Sequence, residues 1–278
     1  MGVLISALLC VRCHQGEPQN NVSLHPDQVK LVAAAAAFTG EANQMHSLVS
    51  SNPLGFLQLC RQRCIDRVRD YHCTFTKQEQ VDGQLRPQQE TDVRFRSDPF
   101  SVDMTFTRNA RDAARALYVA GKWYDSKGDP MAWVRPAGAI IKTFIPKIRQ
   151  PIHGARAQKE SRRTIDQFGF EISFDLILKY SIQAQAEGKL DLNYVGEGAV
   201  GGRPTYVIER FLPYTGQEHP YPDRLLVIHI DQEHLLPTAC LSYADDDGRD
   251  LLGSYVYTDI QLNPGYTDKD FDPEAIGF

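Results

Sequence analysis

The chain has no apolar run of about 18 residues, so no membrane-spanning helix is written into it. It also has no basic surplus. Thirty Lys and Arg against 35 Asp and Glu give a net charge of −5, which argues against nucleic acid as a partner. G-x-S-x-G is missing, and no Ser, His and Asp occur in an order suited to nucleophilic catalysis. Nothing in the sequence forces a general acid–base pair. Glu79 and Asp82 flank a turn, where carboxylates are common for structural reasons. Tryptophan is scarce: Trp123 and Trp133 are the only two, and core or rim packing is the expected role for both. These absences leave a non-enzymatic protein, with no cofactor and no metal, as the first expectation.

Cysteine is present but sparse, at positions 10, 13, 60, 64, 73 and 240. Cys60 and Cys64 stand one turn apart on a predicted helix, where a mutual bond would be strained. Cys64 with Cys73, or Cys73 with Cys240, would pair better if the fold brings them close. The spacings among these four do not make a C-x-x-C metal pair, and the plainer expectation is small hydrophobes in the core.

The N-terminus leaves two readings open. Val3 to Val11 (VLISALLCV) is as long as a signal-peptide core, but no Lys or Arg precedes it and no small-x-small site follows. Cys10 invites a lipoprotein reading, while Leu8 and Leu9 stand where small residues would be wanted. The alternative is a short buried segment. Residues 1–24 are expected to be this segment plus a linker, 25–52 a helical extension, and 53–278 one domain. Pro26 can open a helix through the alanine run to Phe38, with Gly40 as its stop. Asn52 and Pro53 read as the cap and first position of a second helix, with Leu57, Cys60, Cys64, Ile65 and Val68 on its apolar stripe.

From Tyr71 onward strands dominate. Tyr71 to Phe106 reads as three strands with an Asp82-Gly83 turn. Phe100, Val102, Met104 and Phe106 alternate with Ser101, Asp103, Thr105 and Thr107, the period of a sheet with one buried and one wet face. ARALYVAG and KWYDS suggest a hairpin, and MAWVRP a further strand. Residues 136–163 look irregular and basic, with seven Lys and Arg from 142 onward against Glu160. A helix over Phe170 to Ala186 carries an apolar stripe, and five more antiparallel strands are expected between Lys189 and Leu262. With no βαβ alternation, the class is α+β. The expected sheet is antiparallel and strongly bent, a half-open barrel of roughly 9–11 strands with helices over one face.

Three motifs are weaker than they look. Gly196-Glu-Gly198-Ala-Val-Gly201 matches G-x-G-x-x-G, but a strand rather than a helix comes after it, so a glycine-rich hairpin turn is expected. His229, Asp231, Glu233 and His234 gather metal-ligand types where a solvated hairpin is the better account. Asp245-Asp246-Asp247-Gly248 lacks the closing Glu of a calcium loop.

YHCTFTKQEQVDGQL, RSDPFSVDMTF, ALYVAGK and the C-terminal LGSYVYTDIQLNPGYTDKDFDP together resemble a bacterial domain of unknown function, family 1571. That pattern is similar to the LolA-like group of envelope carriers, as is the turn DQEHLLP. The resemblance implies a bent sheet that holds acyl chains or lipoprotein segments, and a periplasmic or membrane-associated location. It brings no catalytic residues. The expected cavity-lining set is Tyr71, Cys73, Phe75, Val93, Phe95, Val102, Met104 and Phe106 from the sheet, with Phe170, Phe174, Ile177 and Leu178 from the helix. The partner would be a hydrophobic ligand, a lipid or acyl chain. Lys142, Phe144, Lys147 and Arg149 are candidates for contact with a membrane surface or an envelope protein. The competing expectation is an interaction or sensor module with a closed core, since a filled and a hollow barrel show the same alternation.

Overall fold

The computed structural model describes residues 40–138, 147–216 and 220–278. The chain divides into two compact units, Met1–Asn43 and Gln44–Phe278. Residues 40–43 of the first are helical, so Gly40 does not stop a helix. A glycine inside a helix costs about 1 kcal/mol against alanine and does not forbid it. The helix expected from Pro26, and Val3 to Val11, lie outside the described residues, as do Cys10 and Cys13, which stand at C-x-x-C spacing.

The second unit begins with α1 (residues 44–51) and α2 (Pro53–Arg67). Asn52 caps α2 by accepting from the Gly55 amide at 3.0 Å, and Pro53 takes the first position. Phe56, Leu57, Cys60 and Cys64 are buried. Ile65, expected on that stripe, is exposed because one residue turns it about 100° past Cys64.

Strands β1 (Asp70–Val81), β2 (Gln84–Leu85), β3 (Gln89–Arg96) and β4 (Ser101–Arg108) come next. Asp82 and Gly83, both at positive φ (52° and 72°), make the tight turn between β1 and β2. Then come β5 (Ala113–Val119), β6 (Met131–Pro136), β7 (Ile148–Pro151), the short α3 (Ala155–Glu160) and α4 (Phe170–Ala186). The last five strands are β8 (Asp191–Val200), β9 (Arg203–Phe211), β10 (Leu225–Asp231), β11 (Pro237–Tyr243) and β12 (Leu251–Leu262).

The α+β class and the bent, unclosed antiparallel sheet agree with the sequence expectation. The count differs: among the described residues the sheet has 12 strands, in the order β7-β6-β5-β4-β3-β1-β12-β11-β10-β9-β8, with β2 on β1. Every pairing is antiparallel, and the ends β7 and β8 are not joined. Register shifts interrupt the ladder beside Thr74, Thr91, Arg115, Gly196, Ile230 and Tyr243, and such bulges bend the sheet.

Three local expectations change. KWYDS forms no strand, only a bridge from Tyr124 to Pro130, and β5 pairs with MAWVRP (β6) instead. There the Asp125 carboxylate accepts from the Lys127 and Asp129 amides (2.8 and 2.9 Å), a local turn that replaces a ladder. The segment 136–163 is not wholly irregular, since β7 extends the sheet edge by pairing with β6, and α3 comes after it. In the glycine run, Gly196 and Gly198 lie within β8, and the turn falls at Gly201 and Gly202 (φ 57° and 78°).

On the concave side, α4 packs over β1 and β12, and α2 packs against α4 and reaches β8 and β9. Tyr71 stacks on Phe95 (4.7 Å between centroids) and Phe170 (4.5 Å), and Phe170 meets Tyr257 at 4.7 Å. Gly169, at φ 120°, lets α4 start against this stack, since an added Cβ would meet Phe95 at 3.2 Å. The opposite face of β3–β5 was expected to be wet and is largely covered. The C-terminal Phe271 and Phe278 bury Leu117 and Val119 there, with Trp123 and Trp133 alongside. Asp103 on that face is only 2 % exposed and binds Arg94 (2.5 Å) and Arg115 (2.7 Å).

Candidate ligand-binding cavity

A cavity of about 730 Å³ opens on the concave side, walled by β4–β7, by α4, by strands on the β12 side of the sheet and by the segment around α3. This is within the ~300–1,000 Å³ usual for small-molecule sites. Met104, Phe106, Ala116, Val134 and Ile148 give one end an apolar wall. The β-pleat explains why: Met104 and Phe106 stand two apart on β4 and share a face.

The other end is polar. β1 presents Tyr71, Cys73, Phe75, Lys77 and Glu79 on one face, so its inward row turns from apolar to charged. Glu79 is 4 % exposed. Its carboxylate accepts from Lys77 Nζ (3.1 Å), Ser161 Oγ (2.8 Å) and Tyr255 OH (2.8 Å). Burial by itself would raise the Glu79 pKa. The Lys77 ammonium and the three hydrogen bonds outweigh it and hold the carboxyl below its usual range. Lys77 also donates to Ser161 Oγ at 2.9 Å. This is not a primed Ser–Lys pair: the amine donates rather than accepts, and the serine proton goes to Glu79. The cluster instead ties the segment after α3 to β1.

A second buried ion pair closes the far wall. Arg210, 1 % exposed, donates Nη2 to Asp223 (3.0 Å) and Nη1 to the Ile177 carbonyl (3.0 Å). Nearer the outside, Arg156 faces Asp112 at 3.5 Å, with both side chains more than half exposed. Arg163 also lines the wall and lies over the Tyr255 ring at 5.9 Å. Burial pushes the Cys240 thiol up to about 12, although Arg163 and Arg210 both pull it down.

Of the twelve residues expected to line a cavity, Phe75, Met104, Phe106 and Ile177 are on the wall. Tyr71, Cys73, Val93, Phe95, Val102, Phe170, Phe174 and Leu178 are packed in the core instead. They lie where α2 and α4 rest on the sheet, so their face is filled by helix. Lys142 and Phe144 lie outside the described residues. Lys147 and Arg149 lie over the Trp133 ring at 5.1 and 5.6 Å. The alternation singled out none of Lys77, Glu79, Ser161, Arg163, Arg210 and Tyr255, and it assigned Glu79 to a turn. Period two carried past Phe75 would have found Lys77 and Glu79.

The His229–His234 group does not converge. Asp231 is fully buried and takes Arg203 in a two-pronged bond (2.6 and 2.9 Å) and the Glu233 and His234 amides (3.0 and 2.7 Å). His229 meets Thr205 Oγ1 at 3.0 Å, and burial lowers its pKa, so it stays neutral at pH 7. No group of three or more His, Cys, Asp or Glu suited to a metal occurs among the described residues. Cys60, Cys64, Cys73 and Cys240 are free thiols, so neither suggested disulfide is formed.

The family described as "Protein of unknown function (DUF1571)" matches residues 68–276. The chain belongs to this family. No curated protein matches this chain. Among solved structures it is similar to MucB, also solved as the Pseudomonas aeruginosa MucA/MucB complex. The MucB match has 20% identity and a TM-score of 0.42, covering 77% of this chain and 60% of MucB. A LolA superfamily protein from Nitrosomonas europaea is similar at 12% identity and a TM-score of 0.36, covering 78% of this chain and 97% of that one. Lipoprotein LppX of Mycobacterium tuberculosis is similar at 13% identity and a TM-score of 0.41, covering 80% and 100%. All three likenesses are distant. No helix among the described residues is long and apolar enough to cross a membrane.

Proposed function

We propose that this protein is a non-enzymatic cell-envelope protein that binds a hydrophobic ligand, a lipid or lipidated peptide, on the concave side of its sheet. The cavity of about 730 Å³ with an apolar end carries the reading. Each large apolar group that a ligand buries there contributes on the order of 1.5–3 kcal/mol. The alternative, an interaction or sensor module, calls for a closed core, and a cavity of this size weighs against it. The envelope location is supported by the apolar Val3 to Val11 stretch and the family resemblance.

The test is to purify the full chain without denaturant, extract it with organic solvent, and weigh both extract and intact protein by mass spectrometry. A stoichiometric lipid or acyl species is expected. Ala116, on the apolar wall, is the position for a blocking variant. Ala116→Trp should weaken uptake of added lipid at least tenfold while the fold is kept. A protein that emerges empty and takes up no added lipid sinks the proposal.

A further inference from the structure

Three carboxylates, Glu79, Asp112 and Asp223, line the cavity among the described residues. Each carboxylate already has its cation: Glu79 has Lys77, Asp112 has Arg156, and Asp223 has Arg210. Arg163 has no carboxylate partner among the described residues; its described contacts are the Tyr255 ring and its own amide's bond to Ser161 Oγ. Arg210 is the more telling group. It is 1 % exposed, and among the described residues its Nε has no hydrogen-bond partner while both terminal nitrogens are engaged. A buried, unsatisfied guanidinium N–H costs free energy that an anion on the wall would recover. Arg163 and Arg210 belong to one neighbourhood: Arg163 lies over the ring of Tyr255, which pairs with Cys240 on β11, and Arg210 is in line with Leu226 and Ser242, two residues along β11 from Cys240.

The apolar surface is at the opposite end, on Met104, Phe106, Ala116, Val134 and Ile148. The cavity therefore has a greasy end and a cationic end. We propose that Arg163 and Arg210 form an anion subsite, and that the ligand is an amphiphile with an acidic head group at these arginines and its tail along β4–β7. This rests on the proposed hydrophobic-ligand function and names the chemical class of that ligand. Carboxylate and phosphate heads share the required chemistry, because a guanidinium engages either through paired, charge-assisted hydrogen bonds.

The experiment compares probes with one tail and different heads on the full-length protein by calorimetry: dodecanoate, dodecyl phosphate, dodecanol and dodecylamine, with inorganic phosphate as a tail-free control. The expected result is that one or both anionic probes bind about ten- to hundredfold more tightly than dodecanol. Dodecylamine should be weakest and inorganic phosphate undetectable. Which anion wins separates carboxylate from phosphate heads. Arg163→Gln should remove most of the anionic preference, read as the ratio of anionic-probe to dodecanol affinity in the same variant, with circular dichroism confirming that the fold is kept. Equal binding of all four tailed probes overturns the subsite and leaves the hydrophobic cavity standing. Tight binding of inorganic phosphate alone assigns the site to a small anion and overturns the amphiphile. Binding by no probe removes the cavity reading and this inference with it.

Discussion

Glu79→Gln isolates the charge of the polar end without changing its shape. The Glu79 side chain is 3 % exposed and that of Lys77 14 %, so both ions have left most of their water. Removing one partner of a buried pair costs about 3–5 kcal/mol, because the remaining charge stays desolvated. Glutamine keeps the room and the Tyr255 bond, and Lys77 keeps a small opening to solvent, so the lower end, about 3 kcal/mol, is expected. In a unit of this size that is roughly a 6–12 °C fall in Tm. The double variant Lys77→Met/Glu79→Gln leaves no lone charge, keeps an acceptor for Ser161 and Tyr255, and should recover most of the loss. Acid provides an independent check. The folded Glu79 pKa is depressed, so its contribution is complete above the unfolded value, about 4.3, and disappears as pH falls through the folded one. The gap between wild type and Glu79→Gln should therefore close below about pH 4. Urea unfolding across pH measures all of this. A loss under about 0.5 kcal/mol at pH 7, or a double variant as weak as the single one, would refute the argument.

Two further tests separate core from cavity. Phe174→Ala, at a position with no exposure, should cost about 3–5 kcal/mol in urea unfolding. Because Phe174 is absent from the wall, ligand affinity should be unchanged, and a large affinity loss in the folded variant would count against the cavity as drawn. With Cys10, Cys13 and the half-buried, wall-lining Cys240 replaced by Ser, the native protein should resist thiol labelling at pH 8 and label fully in denaturant. Burial is the main cause raising the three remaining thiols, with Cys64 pushed up to about 12. Rapid native labelling would contradict that burial.

Most strands, α4 and the α2 cap are legible in the sequence by itself because they depend on local signals, whereas β7 is missed and KWYDS is misassigned as a strand. Alternation identified β1, β3 and β4, Asp82-Gly83 identified their turn, and Asn52-Pro53 the helix start. The resemblance brought in the family. What tertiary structure decided is which inward-facing residues are covered by helix and which face empty space. Tyr71 and Phe75 share a row on β1 and a chemistry, yet one packs beneath α4 and the other lines the cavity. The cationic end was hidden for the same reason. Lys77 and Ser161 are 84 positions apart, Arg163 and Cys240 stand on different elements, and no local period records such meetings. Alternation reports that a face is turned inward; only the packing of the other elements determines whether anything fills the space in front of it.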